Sequence, residues 1–120
     1  MSTSSKLNRA RRAAVAARDN IARIADWAAD KTLADLQSKT LLRYGVERAF
    51  MAIDAALRDI PAEVAARHQI PARFIADFRN ILAHTYEEVL DARIITTIRD
   101  DLPQLDRQLV AIIAELDTQP

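Results

Sequence analysis

The sequence predicts an all-α fold, an antiparallel bundle of four or five helices. One glycine and four prolines in 120 residues leave few turns and long elements. Apolar residues recur along most of the chain at the i, i+3, i+4, i+7 spacing of amphipathic helices. Alanine, leucine and arginine are abundant, each with high helix propensity. With 50% hydrophobic and 28% charged residues, the chain has the profile of a folded domain rather than a disordered one. Its length suits one domain, assigned to residues 7–117, with residues 1–6 as a flexible tail.

The first helix is expected from Leu7 to about Asp30, with Ile21, Ile24, Ala25 and Ala28 on its apolar side. Arg9, Arg11 and Arg12 sit near its start, where basic groups oppose the helix dipole, so this part either frays or serves a ligand. A second helix is expected from about Thr32 to Asp59, striped by Val46, Ala49, Phe50, Ile53 and Leu57, with Ile60 just beyond. Gly45 inside it costs about 1 kcal/mol relative to alanine, which points to a close helix–helix contact or a kink. Pro61 and Pro71 bracket the clear break, in which Ala62–His68 form a short helical turn and His68 is assigned to the surface with no role. Pro71 suits the first position of a third helix, about 71–87, packed by Phe74, Ile75, Phe78, Ile81 and Leu82. Asp91 suits the N-cap of a fourth, about 92–117. Its stripe is Ile94, Ile95, Ile98, Leu102, Leu105, Leu109, Ile112 and Leu116, with Pro103 expected to kink or divide it.

Net charge is zero but uneven: residues 1–60 carry 11 basic and 7 acidic side chains, residues 61–120 carry 6 and 10. Neutrality argues against wholesale coating of nucleic acid and leaves room for a local basic patch. The absence of cysteine excludes disulfides, thiolate catalysis and cysteine-based zinc sites, and two histidines make a histidine-rich metal site a poor fit. No metal or cofactor is expected. The start of the chain lacks the apolar core of a signal peptide, and no run approaches the ~20 apolar residues of a membrane span, so a cytoplasmic location is expected.

One stretch concentrates chemistry: Arg79-Asn80-Ile81-Leu82-Ala83-His84-Thr85-Tyr86. At about 100° per residue, Arg79 and Tyr86 fall within about 20° of each other on a helix, and Asn80 and His84 share a neighbouring face. Metal-free RNA cleavage requires a proton acceptor, a proton donor and a cation for the charge developing on phosphorus as the ribose 2′-hydroxyl attacks. His84, with an ordinary histidine pKa of about 6.5, suits either proton role. Arg79 offers a planar fork of donors to phosphate oxygens, and Asn80 can orient the imidazole or the phosphate. Each residue also has an ordinary structural role open to it. His84 can be a structural hydrogen-bonder, Arg79 can pair with Asp77, Glu87 or Glu88, and Tyr86 can be a half-buried core residue.

The pattern Arg-Asn-x-x-x-His-x-Tyr resembles the signature of the HEPN superfamily, and with Tyr86 its HepT-like branch. The resemblance extends over most of the chain, from the helical pattern beginning at Leu7 to Leu116, including Pro71 ahead of the motif helix. The region Tyr44-Gly45-Val46-Glu47-Arg48-Ala49 only approximates the glycine–acidic element of that branch, so Glu47 receives no catalytic role and is kept as a candidate ion-pair partner for a basic residue in the site. The resemblance implies a metal-independent endoribonuclease, the toxin of a toxin–antitoxin pair, with Arg79 and His84 catalytic and Asn80 supporting. It implies a homodimer whose motif helices meet at a cleft. Since Arg79 and His84 lie about 140° apart around one helix, a two-fold interface can bring one subunit's arginine to the other's histidine. It further implies a nucleotidyltransferase antitoxin similar to MntA that transfers AMP to Tyr86, placing a phosphate beside Arg79. The alternative reading is a non-catalytic helical module that binds a nucleotide or docks a nucleotidyltransferase.

Overall fold

A computed structural model describes residues 3–70 and 93–118 of the chain, and among these residues all regular structure is helical. Helix α1 (Thr3–Ala28) begins ahead of the Leu7 start expected from the sequence. Its buried side is longer and smaller than expected, since Ala10, Ala13, Ala14 and Ala17 join Ile21, Ile24 and Ala28, while Ala25 faces outward. Short alanine side chains let neighbouring helices approach closely. Trp27 near the end of α1 meets Gly45, and Arg9 near its start pairs with Asp59, so the helix carrying Gly45 runs antiparallel to α1. Arg11 pairs with Asp117 and Arg18 with Asp106, so the C-terminal helix is antiparallel to α1 as well. No helix among the described residues is long and apolar enough to cross a membrane.

The single helix expected over 32–59 is divided. Helix α2 (Leu33–Ser38) and helix α3 (Thr40–Arg58) are separated by Lys39, which is extended at φ −100° and ψ 91°. Thr32 opens α2 with a capping box: its hydroxyl accepts from the Asp35 amide, and the Asp35 carboxylate accepts from the Thr32 amide. The break has a packing cause. On one unbroken helix Leu36 would sit about 70° from the stripe centred on Val46, Phe50, Ile53 and Leu57, whereas with the bend at Lys39 Leu36 is fully buried with them. α3 is continuous across Gly45, where an added Cβ would lie 3.4 Å from the Trp27 ring. That is ordinary van der Waals contact, so the glycine sits where α1 and α3 touch and produces no kink.

Pro61 starts helix α4 (Ala62–Arg67), which buries Val64. Its end is a Schellman motif, with the Gln69 amide donating to Ala66 and the Ile70 amide to Ala65. That motif places Gln69 in the left-handed region at φ 60°. A side chain there costs roughly 1–2 kcal/mol, so Gln69→Gly is expected to stabilise the fold by about 0.5–1 kcal/mol, read as a higher urea midpoint with unchanged slope.

Beyond residue 92 the expected final helix is present in three parts: α5 (Arg93–Thr96), a π-helical turn (Thr97–Asp101) and α6 (Leu102–Asp117). The interruption comes one turn before Pro103. Proline has no N–H and its ring collides with the carbonyl four residues back. The wider turn, closed by the Leu102 amide donating to Thr97, absorbs both effects. It also projects Arg99, whose guanidinium donates to the Lys31 carbonyl at 3.1 Å and ties the α1–α2 corner. Ile94, Ile98, Leu102, Leu105, Leu109, Ile112 and Leu116 are buried as their spacing predicts, and Ile95 is partly buried.

Candidate functional site

Arg79, Asn80, His84 and Tyr86 lie outside the described residues, as do the expected helix 71–87 with its core positions and Asp91. The described structure shows how the chain is held on either side of that stretch. Upstream, α4 is fastened to α6. The Arg67 guanidinium donates to both carboxylate oxygens of Glu115, at 3.2 and 2.9 Å. His68 Nε2 lies 3.4 Å from the same carboxylate. Gln108 donates to the Gln69 carbonyl at 3.0 Å. Downstream, Ile94 is buried at the first turn of α5.

His68 is therefore not the idle surface residue expected from the sequence. Its side chain is 17% exposed, packed one helical turn after buried Val64 and against Glu115. The helical spacing from Val64 was a local hint, but the partner is distant in sequence and invisible to periodicity.

The Glu115 carboxyl is held below its ordinary range, first by its hydrogen bond from Arg67, with a further contribution from His68. A carboxyl whose pKa is lower folded than unfolded contributes stability above the unfolded value and loses it as pH falls through the folded one. Glu115→Gln is thus expected to lower Tm at neutral pH and to flatten the acid limb of the Tm-versus-pH curve. Thermal unfolding of both proteins from neutral pH into the carboxylate range measures this.

The basic segment of α1 is largely engaged. Arg9 reaches Asp59 and Arg11 reaches Asp117, each at 2.7 Å, and Arg18 reaches Asp106 at 2.8 Å. These exposed pairs set helix orientation more than stability. On α3, Arg43 and Glu47 form a half-buried pair at 3.8 Å, and Arg43 lies 5.4 Å from the centroid of the Tyr44 ring. Burial raises the Glu47 pKa and Arg43 only partly opposes it. Glu47 pairs with Arg43 within its own helix, and Arg43 is not one of the site residues expected from the sequence. Asp54, one turn from the end of α3, is buried and accepts from Arg58. Among the described residues no three histidine or acidic side chains converge in a metal-binding arrangement.

A family model described as ribonuclease HepT-like matches residues 17–112, a span that includes the whole stretch 79–86. No curated protein and no solved structure matches the chain.

Proposed function

The chain belongs to the HepT-like ribonuclease family, and from that premise we propose that it is a metal-independent endoribonuclease acting in the cytoplasm as the toxin of a toxin–antitoxin pair. The family match over residues 17–112 carries the reading, and the Arg79–Tyr86 pattern within it supplies the chemistry. In the proposed step the ribose 2′-oxygen attacks phosphorus as its proton passes to a base, and the 2′-O–P bond forms. The P–O5′ bond breaks, and the departing oxygen takes up a proton, leaving a 2′,3′-cyclic phosphate and a 5′-hydroxyl. His84 has the pKa range for one of the proton transfers. Arg79 meets the charge building on the non-bridging oxygens. Asn80 supports one of the two.

The active unit is a homodimer whose cleft pairs Arg79 of one subunit with His84 of the other. The roughly 140° separation of these positions on one helix is the geometric argument for it. Control comes from a cognate nucleotidyltransferase similar to MntA. The Tyr86 hydroxyl gives its proton to a base as its oxygen attacks the α-phosphorus of ATP; the O–P bond forms, the bond from the α-phosphorus to the oxygen bridging to the β-phosphorus breaks, and pyrophosphate leaves. The attached AMP sets an anion beside Arg79 and occupies space that RNA requires.

Two measurements test this. The purified protein is expected to cleave single-stranded RNA in the presence of chelator, leaving cyclic-phosphate ends. The protein co-expressed with a neighbouring nucleotidyltransferase is expected to gain mass in steps of one AMP, and Tyr86→Phe to gain none. A tightly held nucleotide with no cleavage across a broad RNA panel would replace this reading with that of a non-catalytic nucleotide-binding module.

A further inference from the structure

The outward face of α3 carries side chains that a solvated helix rarely groups. Leu41 is 87% exposed, Tyr44 57% and Met51 47%, and Trp27 beside them on α1 is 39% exposed. Leu41, Tyr44, Gly45, Arg48 and Met51 recur at helical spacing on the side opposite buried Val46, Phe50, Ile53 and Leu57. Single exposed apolar residues need no explanation, but a contiguous set marks a contact surface.

The surface is also grooved. Trp27, Lys39, Leu41, Leu42 and Gly45 line a cleft of about 620 Å³. It lies beside the bend at Lys39, and Gly45 presents no side chain to it. Among the described residues, Lys39 is the one charged side chain that lines it. Lys39 stands at the rim with its side chain 57% exposed and only a 3.9 Å contact to Asp35. Arg48 is exposed and makes no ion pair among the described residues. Glu47, the nearest carboxylate on α3, is drawn to Arg43, and among the described residues no carboxylate lines the cleft.

We propose that this cleft is a single-stranded RNA subsite, in which a base stacks on the Trp27 indole while Lys39 and Arg48 meet the adjoining phosphates. An exposed aromatic face bordered by cations is the chemistry that tracks an unpaired strand: stacking tolerates any base, and the cations follow the backbone. The assignment rests on the ribonuclease reading and deepens it, adding a grip on substrate away from the residues that cut.

Trp27 is the chain's one tryptophan, so its fluorescence reports this site alone. The experiment titrates the full-length His84→Ala protein, which preserves the RNA, with a short oligoadenylate. Saturable quenching that weakens with added salt is expected, and duplex RNA of matched length is expected to leave Trp27 unquenched. Lys39→Glu retains the fluorophore and is expected to weaken binding several-fold. Trp27→Ala, followed by anisotropy of labelled oligoadenylate and checked for helicity, is expected to weaken it roughly fivefold to a hundredfold, the range for losing one base–aromatic stack. Unchanged Trp27 emission overturns the proposal. So does emission that responds to protein dilution and not to RNA, which assigns the face to a second copy. Cleavage by the parent protein with a silent Trp27 rejects this subsite and leaves the nuclease reading standing, and quenching without cleavage does the reverse.

Discussion

His84→Ala is expected to slow RNA cleavage by about 10²–10⁴-fold, the usual contribution of a positioned proton-transfer group. Arg79→Ala is expected to fall as far, and Arg79→Lys to recover little of it. Lysine keeps the charge but loses the planar fork that meets two phosphate oxygens together. Mixing the two alanine variants is the more searching test. If each cleft takes its arginine from one subunit and its histidine from the other, a dimer of one Arg79→Ala and one His84→Ala subunit contains one fully intact cleft and one doubly damaged one. Random exchange of equal amounts then restores about a quarter of the parent's sites. If both groups act from the same subunit, every cleft in the mixture lacks one of them and no activity returns. Cleavage assayed on the separate and exchanged variants at equal total protein distinguishes the two arrangements. A full loss in both single variants with no rescue removes the shared cleft while keeping both residues in the chemistry.

The helical stripes were legible in the sequence because a helix imposes one period on burial. Val46, Ala49, Phe50, Ile53 and Leu57, and equally Ile94 to Leu116, needed only spacing to be placed. The departures arose where a second influence competed with that period. Thr32 and Asp35 carried a capping signal, and Leu36 was out of phase with α3, so the break at Lys39 had a trace in the sequence that an assumption of one long helix concealed. Pro103 was seen, but its steric demand falls on the preceding turn, and the irregularity accordingly occupies Thr97–Asp101. His68 is assigned to the surface from its place between two prolines, although its spacing from Val64 hints at burial, and its contact with Glu115 is one that no local pattern encodes. The outward set on α3 is of a different kind: Leu41, Tyr44 and Met51 share a helical spacing of their own on the face opposite the inner stripe, and their exposure is a property of the packed fold. The Arg79–Tyr86 cluster remains an inference from residue types, spacing and the family to which the chain belongs.

Phe50→Ala is expected to destabilise the fold by about 3–5 kcal/mol, a large part of the 5–15 kcal/mol typical of a domain. Phe50 is fully buried on α3. Trp27 opposite Gly45 and Arg9 opposite Asp59 fix the antiparallel register of α1 and α3, and this puts Phe50 across from the middle of α1, where Ala17 and Ile21 are buried. Alanine has no reach with which to refill the space that a lost phenyl ring leaves, so little of the cavity can collapse and the cost should lie near the top of the range. Met51 follows Phe50 in sequence but is turned about 100° around the helix and is 47% exposed. Met51→Ala is therefore expected to change stability by no more than about 0.5 kcal/mol. Urea unfolding of the two variants compares adjacent residues on one helix, with one mutation expected to bring the fold close to collapse and the other to leave it nearly untouched. Comparable losses in both would mean that the outer face of α3 is covered in solution, and it would then be unavailable to an RNA strand.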